Sequence, residues 1–529
     1  MTTELASFET SARRARARRW AKLSSLALLA AGARMSWTAE KAGLQHDEQV
    51  SVLTAACEHQ RWFDEMPELR DRWVEAERLI DFVDRPERWC FGEVQRTLVR
   101  YDIHPPLYYW LLHAFYRVAG VSPAGGPVAN ALIAFFTAIL LGLLFERLAS
   151  RETAIFAVLL WAVASGPVYV SYQARQYELF TFFAVAVWLV DTWPARTPLR
   201  TTLSTLGIVL GGLTHYHFAL IPASLFVARA IRREWSGAVT LGASGLLALG
   251  LLFAIHPGAS ESLVTASNRT EGDPIEPFRR LELAGRNLLG FFFQHRVLDR
   301  VLPAVGGPVT NATVWPVGAL SASVAALAIA WIGPRRSDVS PDAARLRLAV
   351  AVYAALVVGP YLLGWTARHT MRDHRYLGPF NPWIAIAVIA ALRRCRFPHR
   401  AAPMAVVAGA GLLTAVTIAL AARANRSLDA VRRADRIVID STRRGYFAAS
   451  LLAVDSGDLV RWTDVADLAE GELRWLDDIA SPKRLAYAAG GPETPLRKRV
   501  MHRIERHFEG YRMQRVGLRY YVLVEDAPP

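Results

Sequence analysis

The sequence predicts an all-α polytopic membrane protein closed by a small C-terminal α/β domain, and three observations carry that prediction. Of 529 residues, 53% are hydrophobic and only 20% charged, with a mean hydropathy of +0.19; soluble domains run nearer about 25% charged. The apolar residues come in blocks, and Pro127–Phe145, Thr153–Ala174, Ser236–Ser260 and Ala401–Ala422 hold no Asp, Glu, Lys or Arg. Each block is long enough to cross roughly 30 Å of hydrocarbon as a helix. The arginines punctuate the block ends, at Arg147/Arg151, Arg196/Arg200, Arg229/Arg232/Arg233, Arg335/Arg336/Arg345/Arg347 and Arg393/Arg394/Arg396/Arg400. Blocks recurring over most of the chain exclude a soluble enzyme, a disordered chain and a porin-like barrel. The formal charge of +14 therefore reports topology, because cytoplasmic loops retain basic residues, and no nucleic-acid partner is expected.

The elements follow in order. Residues 1–22 form a basic cytoplasmic N-terminus with Arg13, Arg14, Arg16, Arg18, Arg19 and Lys22. An uncleaved first span runs from Leu23 to about Ala39, interrupted by Arg34, and opens a membrane domain over 23–422. Placing every basic cluster inside requires two further assignments. His104–Ala119, with Pro105-Pro106 at its start, lies in the interface and does not span. Thr201–Ala228 is a hairpin of two short helices with Thr214-His215-Tyr216-His217 at the turn. The spans then number about eleven in a plasma (inner) membrane, with the N-terminus cytoplasmic and residues 423–529 a soluble extracytoplasmic domain. In that tail Ile437-Val438-Ile439 and Tyr520–Val524 read as strands and Arg497–Phe508 as a helix.

The outer face collects a long first loop (about 40–126) and short turns in which ionisable residues crowd against span ends. They are Asp47-Glu48, the run Tyr101-Asp102-Ile103-His104, Arg175 with Tyr177, His215 with His217, and Arg372 with Arg375 and Tyr376. Ionisable groups beside hydrocarbon are costly and mark function. A carboxylate at a span end can take a proton from a hydroxyl, and nearby Arg and His can stabilise a phosphate leaving group where water is scarce. Tyrosines and apolar walls suit a substrate half lipid and half polar. The set predicts group transfer from a lipid phosphate. The alternative is a transporter or flippase of a lipid-linked sugar, which ordinarily shows midplane ionisable groups and internal repeats; neither is evident in the sequence.

These motifs carry a resemblance. Asp47-Glu48 after the first span, His104-Pro105-Pro106-Leu107-Tyr108-Tyr109, Ala174-Arg175-Gln176-Tyr177, Leu213-Thr214-His215-Tyr216 and Arg375-Tyr376-Leu377-Gly378-Pro379 resemble, in order and spacing, the GT-C glycosyltransferases. The similar group is glycosyltransferase family 39, the protein O-mannosyltransferases and the lipid A aminoarabinose transferases, over roughly residues 20–395. The resemblance implies a GT-C fold, a polyprenyl-phosphate sugar donor, a hydroxyl-bearing acceptor (protein, lipid or polysaccharide) and an inverting displacement. It implies Asp47 as general base with Asp102 as a second acid, although the offset of Asp102 from the prolines differs from the family pattern; Glu48 beside Asp47 is a third catalytic candidate, read as either orienting Asp47 or binding a metal. It implies Arg175, Tyr177, His215, Arg372, Arg375 and Tyr376 around the donor phosphate, with His104 and His217 in the same pocket.

No Cys/His spacing fits zinc, and no cofactor is required; Asp47, Glu48 and Asp102 could hold a divalent ion, which nothing in the sequence demands. Of three cysteines, Cys57 and Cys90 share the outer first loop and are expected to pair. That closure would stabilise by roughly 3–4 kcal/mol in the chain-entropy account.

Overall fold

The computed structural model describes residues 2–38, 41, 44, 46–83, 86–102, 104–193, 197–260, 280, 290–292, 341–362, 378–394, 400–426, 434, 436–440, 459–463, 468–469, 471, 473–477, 479, 485–488, 494–515 and 520–525. The first element, α1 (Thr2–Thr38), continues the apolar stretch backward through the basic N-terminus as one helix. Then come α2 (His46–Ala55), α3 (His59–Leu69), the short strand β1 (Trp73–Glu75) and α4 (Ala76–Ile80). After these lie α5 (Phe91–Tyr101), α6 (Leu107–Ala119), α7 (Gly125–Leu148), α8 (Arg151–Val163) and α9 (Ser165–Tyr172). Next are α10 (Tyr177–Asp191), α11 (Pro198–Gly212), α12 (Leu220–Ile231) and α13 (Trp235–Ile255). The last helices of the membrane part are α14 (Pro341–Leu362), α15 (Asn381–Arg394) and α16 (Ala401–Arg426).

Among the described residues four helices are long and apolar enough to cross a membrane: α7, α13, α14 as far as Tyr361, and the Ala401–Ala419 part of α16. The pair α8–α9, bent by 49°, makes a fifth if it counts as one broken span. The chain is thus a mostly helical, multi-span membrane protein. The stretch 201–228 folds as two short helices, α11 and α12, around a 3-10 turn at Tyr216–Ala219, each too short to span alone. His104–Ala119 yields the 13-residue α6, also below spanning length.

Local chemistry sets several boundaries. Ser150 Oγ accepts the Thr153 N–H at 3.3 Å and starts α8. Thr197 Oγ1 accepts the Arg200 N–H at 3.2 Å ahead of Pro198, starting α11. A Ser or Thr at this position satisfies one of the helix's orphan donors, and proline fits the first turn because its missing N–H would be unbonded there. The helices pack α1 on α7 and α8, α10 on α7 and α11, α12 on α13 and α14, and α15 on α8. Between α10, α14 and α15 the Trp188 ring meets Trp383 edge-on at 5.1 Å and Tyr353 at 5.9 Å. Edge-to-face contacts of this kind add to the burial of the rings.

Beyond α16 lie β2 (Arg436–Asp440), β3 (Leu459–Thr463), β4 (Leu485–Ala488), α17 (Pro495–His507), β5 (Tyr511–Arg515) and β6 (Tyr520–Glu525). With β1 they form a six-stranded sheet of order β1-β3-β2-β4-β6-β5. The strands β3, β2 and β4 are parallel, and β1, β6 and β5 add antiparallel. A parallel centre covered on both faces explains the unbroken apolar run Ile437-Val438-Ile439, all three fully buried.

One strand of this sheet does not come from the tail. β1 belongs to the segment between α1 and α7 and pairs Trp73 with Arg461, Val74 with Val460 and Glu75 with Leu459. The same segment supplies Trp62, Met66, Leu79 and Phe82, which pack with Ile437, Ile439 and Val460 on one sheet face. On the other face Val500 and Ile504 of α17 pack with Val438, Leu485 and Tyr487. The tail and the segment between α1 and α7 therefore share one core. Trp62→Ala should destabilise that core by about 3–5 kcal/mol. Hydrogen exchange should show β2 and β3 losing protection together with α3 and α4; loss confined to α3 would mean the two parts fold separately.

Candidate active site

The first turn of α2 carries Asp47 and Glu48. Glu48 is buried and its Oε1 accepts two hydrogen bonds, from the Lys41 ammonium and from the Ala174 N–H, the latter at 2.7 Å. Lys41, equally buried, also donates to the Tyr172 carbonyl at 2.8 Å and lies 4.5 Å over the Tyr172 ring. This pair pins α2 to the turn between α9 and α10. The turn is held from behind by Asn130 of α7, which donates to the carbonyls of Ser171 and Gln173 at 3.1 and 2.6 Å. Gly126, one turn before Asn130, has no room for a Cβ because Ala174 occupies that space.

The pinned turn presents Arg175, which is 3% exposed. Its Nη1 donates to the Asp47 carbonyl at 3.0 Å, Ser51 Oγ at 3.1 Å and Tyr109 Oη at 3.2 Å. Its Nη2 lies 3.0 Å from His104 Nε2. His104 Nδ1 is 2.6 Å from Asp102 Oδ1, and Tyr109 Oη donates to Asp102 Oδ2 at 3.2 Å. Asp102 ends α5 as its C-cap, and Pro105-Pro106 leads into α6, so the chain reverses between two helices and carries His104 on the bend. A hydrogen bond from the Leu107 N–H to the Leu213 carbonyl, 3.0 Å, ties this bend to the end of α11. If Arg175 donates to Nε2, that nitrogen is the acceptor and the His104 proton sits on Nδ1, directed at Asp102. Arg175 Nε–H, also buried, has no hydrogen-bond partner among the described residues.

Tyr177 and His215 form an adjoining group. His215 stacks on Phe180 with centroids 5.0 Å apart and planes 7° from parallel, and lies 5.6 Å from Tyr177 and 5.1 Å from His217. Its Nδ1 accepts the His217 N–H at 3.1 Å, which leaves the hydrogen of the neutral ring on Nε2. Arg372, Arg375 and Tyr376 lie outside the described residues. Gly378 packs against the first turn of α10, where a Cβ would stand 2.7 Å from Thr181 Oγ1 and 3.4 Å from the Tyr177 carbonyl.

The geometry thus joins Asp47, Glu48, Asp102, His104 and Arg175 through hydrogen bonds. It adds residues that sequence reading did not single out: Lys41, Ser51, Tyr109 and His256. Lys41 stands only seven positions before Glu48, but nothing in the sequence marks it as a partner. His256, at the end of α13, is fully buried and neither ring nitrogen bonds a described residue. It is near enough to Asp102 and His104 to respond to their charges, but burial dominates and holds its pKa below the usual histidine range.

Elsewhere in the first loop, the sulfurs of Cys57 and Cys90 stand at bonding distance with Cα atoms 6.6 Å apart. His113 lies against them, accepting the Cys90 N–H on Nε2 at 3.2 Å while Nδ1 faces the Ala55 carbonyl at 2.8 Å. These three are the one group of potential metal ligands found among the described residues. With both sulfurs joined to each other and both ring nitrogens hydrogen-bonded, they make a poor cation site.

Fold and site together define a membrane protein in which, among the described residues, a buried arginine sits among part-buried acids and histidines at helix ends. No family model matches the chain. Over 133 residues it is 26% identical to the lipopolysaccharide core galacturonosyltransferase RgtB of Rhizobium johnstonii, covering 24% of this chain and 27% of that protein. The match thus spans about a quarter of the length of that curated relative. In three dimensions the chain is similar to ArnT from Cupriavidus metallidurans bound to undecaprenyl phosphate, at 11% identity and a TM-score of 0.45, covering 94% of this chain and 97% of ArnT. It is also similar to the oligosaccharyltransferase AglB from Archaeoglobus fulgidus in complex with an inhibitory peptide and a dolichol-phosphate, at 11% identity and a TM-score of 0.40, covering 89% of this chain and 69% of AglB.

Two outcomes are expected from this geometry. Lys41→Met strands the Glu48 charge and should cost about 3–5 kcal/mol, whereas Lys41→Met combined with Glu48→Gln should recover most of it, because glutamine still accepts from Ala174. Thermal unfolding in one lipid mixture checks this, and equal losses in both variants would mean that the pair does not hold the turn. For His256, the unfolded ring takes up a proton near about pH 6.5 while the buried ring resists it, so its contribution to stability is lost as pH falls through that value. His256→Phe should flatten the acid side of the stability profile, read as the melting temperature between pH 7.5 and 5.5.

Proposed function

We propose that the chain is a GT-C glycosyltransferase that moves a sugar from a polyprenyl-phosphate donor to a hydroxyl acceptor at the outer membrane surface, with inversion. The observation that carries the reading is Arg175: one buried guanidinium links the Asp47 backbone, Ser51, Tyr109 and the His104–Asp102 pair. It thereby places an acid-bearing helix start and a cationic donor in one cluster. The order of motifs and the similarity over 133 residues to a galacturonosyltransferase support the same class.

In this reading the Asp47 carboxylate, at the positive end of α2, takes the proton from the acceptor hydroxyl. The acceptor oxygen attacks the anomeric carbon as the bond from that carbon to the phosphate oxygen breaks, and the bonding pair leaves with the polyprenyl phosphate. The Arg175 Nε–H, which bonds no described residue, and the Nε2–H of His215 stabilise that departing charge, where low dielectric makes each contact worth more than in water. Glu48 does not meet substrate; through Lys41 and Ala174 it holds the turn that carries Arg175. The N-terminus is cytoplasmic and the shared outer domain, built on the tail sheet, faces the acceptor.

Purified protein in lipid, offered radiolabelled polyprenyl-phosphate sugars with a membrane extract as acceptor, tests the proposal. Label should transfer from one donor, and Asp47→Asn should lower the rate by about 10²–10⁴-fold with folding unchanged. A fully active Asp47→Asn enzyme removes the base assignment. Donor carried between leaflets with no transfer would make the protein a transporter.

A further inference from the structure

At the other end of α10, 15 residues and so about 22 Å from Tyr177, lies a second charged cluster that the proposed chemistry does not use. Asp191 Oδ1 accepts from Arg229, and Oδ2 accepts from Arg345 Nε at 3.0 Å. Its backbone carbonyl accepts from Arg200 Nη2 at 2.9 Å and from Arg345 Nη2 at 2.8 Å. Glu234 pairs with Arg229, Arg232 and Arg345 at 3.3, 3.2 and 3.1 Å, and Asp342 pairs with Arg345 at 2.8 Å. Four arginines thus face three carboxylates, so the cluster keeps an excess positive charge.

A cavity of about 170 Å³ opens on this cluster between α11 and α13, with Asp191 at its floor and Arg200, Arg229, Thr201, Ser204, Ser236 and Thr240 around it. Arg200 uses only Nη2, which also reaches Asp191 Oδ1 at 3.4 Å; its Nε and Nη1 groups bond no described residue. Gly237 leaves space that Arg229 fills, since a Cβ there would collide with the guanidinium. Both walls begin at this level, α11 at Pro198 and α13 at Trp235, so two positive helix ends add to the cations. Leu199 and Leu206 on α11, and Trp235, Val239 and Leu246 on α13, are exposed on the two helices that line the cavity, one of which is of span length.

We propose that this cavity binds the phosphodiester headgroup of an anionic phospholipid, in the leaflet opposite the Arg175 cluster. The Arg200 Nε and Nη1 groups and the Thr201 and Ser204 hydroxyls suit a phosphate oxygen set, and basic pockets between membrane helices recognise such headgroups. The exposed leucines, valine and tryptophan of the same two helices offer apolar surface to acyl chains, which a free phosphate would not need.

The full chain in phosphatidylcholine nanodiscs, with and without phosphatidylglycerol, tests the site by native mass spectrometry of retained lipid and by melting temperature. Wild type should retain phosphatidylglycerol over phosphatidylcholine and melt higher in its presence. Arg200→Gln should weaken the preference by about fivefold, the worth of one basic residue near a headgroup. Thr201→Val with Ser204→Ala should weaken it in the same direction while leaving every ion pair in place. Millimolar inorganic phosphate in pure phosphatidylcholine should change nothing; if it reproduces the stabilisation, the occupant is free phosphate and the lipid assignment is overturned. Equal retention in wild type and both variants would also overturn it. The readout does not depend on glycosyl transfer.

Discussion

A guanidinium removed from water must find acceptors, and in this protein Arg175 finds them on parts of the chain that share no local sequence. The acceptors come from the start of α2, the hydroxyl of Tyr109 on α6 and the ring of His104 on the bend between α5 and α6. Because an uncompensated buried charge costs several kcal/mol, these elements cannot drift apart independently. The position of Arg175 is itself secured from behind by Glu48 with Lys41 and by Asn130. The site is thus a set of mutual obligations among charged groups, and its rigidity follows from the expense of leaving any one of them unpaired.

The same logic recurs at the far end of α10, where Asp191 gathers arginines from α11, α12 and α14. Each end of the helical part is therefore closed by its own ionic cluster, with aromatic packing such as Trp188 against Trp383 between them. The difference between the ends lies in what is left over. At one end acids and histidines lie beside the arginine, suited to moving a proton and meeting a phosphate. At the other, surplus cation and hydroxyls surround a cavity and no histidine takes part. In the proposed function the proton is moved at the first end, and the proposed headgroup is bound at the second.

Much of the helical pattern could be read directly. Charge-free blocks became α7, α13 and α16, and the helix read over Arg497–Phe508 became α17, which opens two residues earlier at Pro495. The apolar run Ile437-Val438-Ile439 became a central strand. The site was legible as residue types at span ends, because an ionisable group beside a long apolar block stands out in any sequence. Its partners were not. Tyr109 stands in the His104-Pro105-Pro106-Leu107-Tyr108-Tyr109 motif without a role, and His256 follows the end of a span-length helix; neither position signals a contact with Asp102.

The sequence by itself determined the long apolar helices and which block ends carry charge, because these follow from composition over consecutive residues. The roughly eleven expected spans compare with four span-length helices, five with the bent pair, among the described residues, and the short helices α2, α3 and α5 were not read. Tertiary structure alone decided the pairings. Lys41 with Glu48, Arg175 with His104, and strand β1 of the first loop with β3 of the tail each join residues whose association depends on burial. The tail sheet shows the reason most plainly. Trp73-Val74-Glu75 is too short to read as a strand, and it becomes one only because the edge of β3 offers unpaired backbone groups and Trp62 and Phe82 beside it need an apolar face to cover.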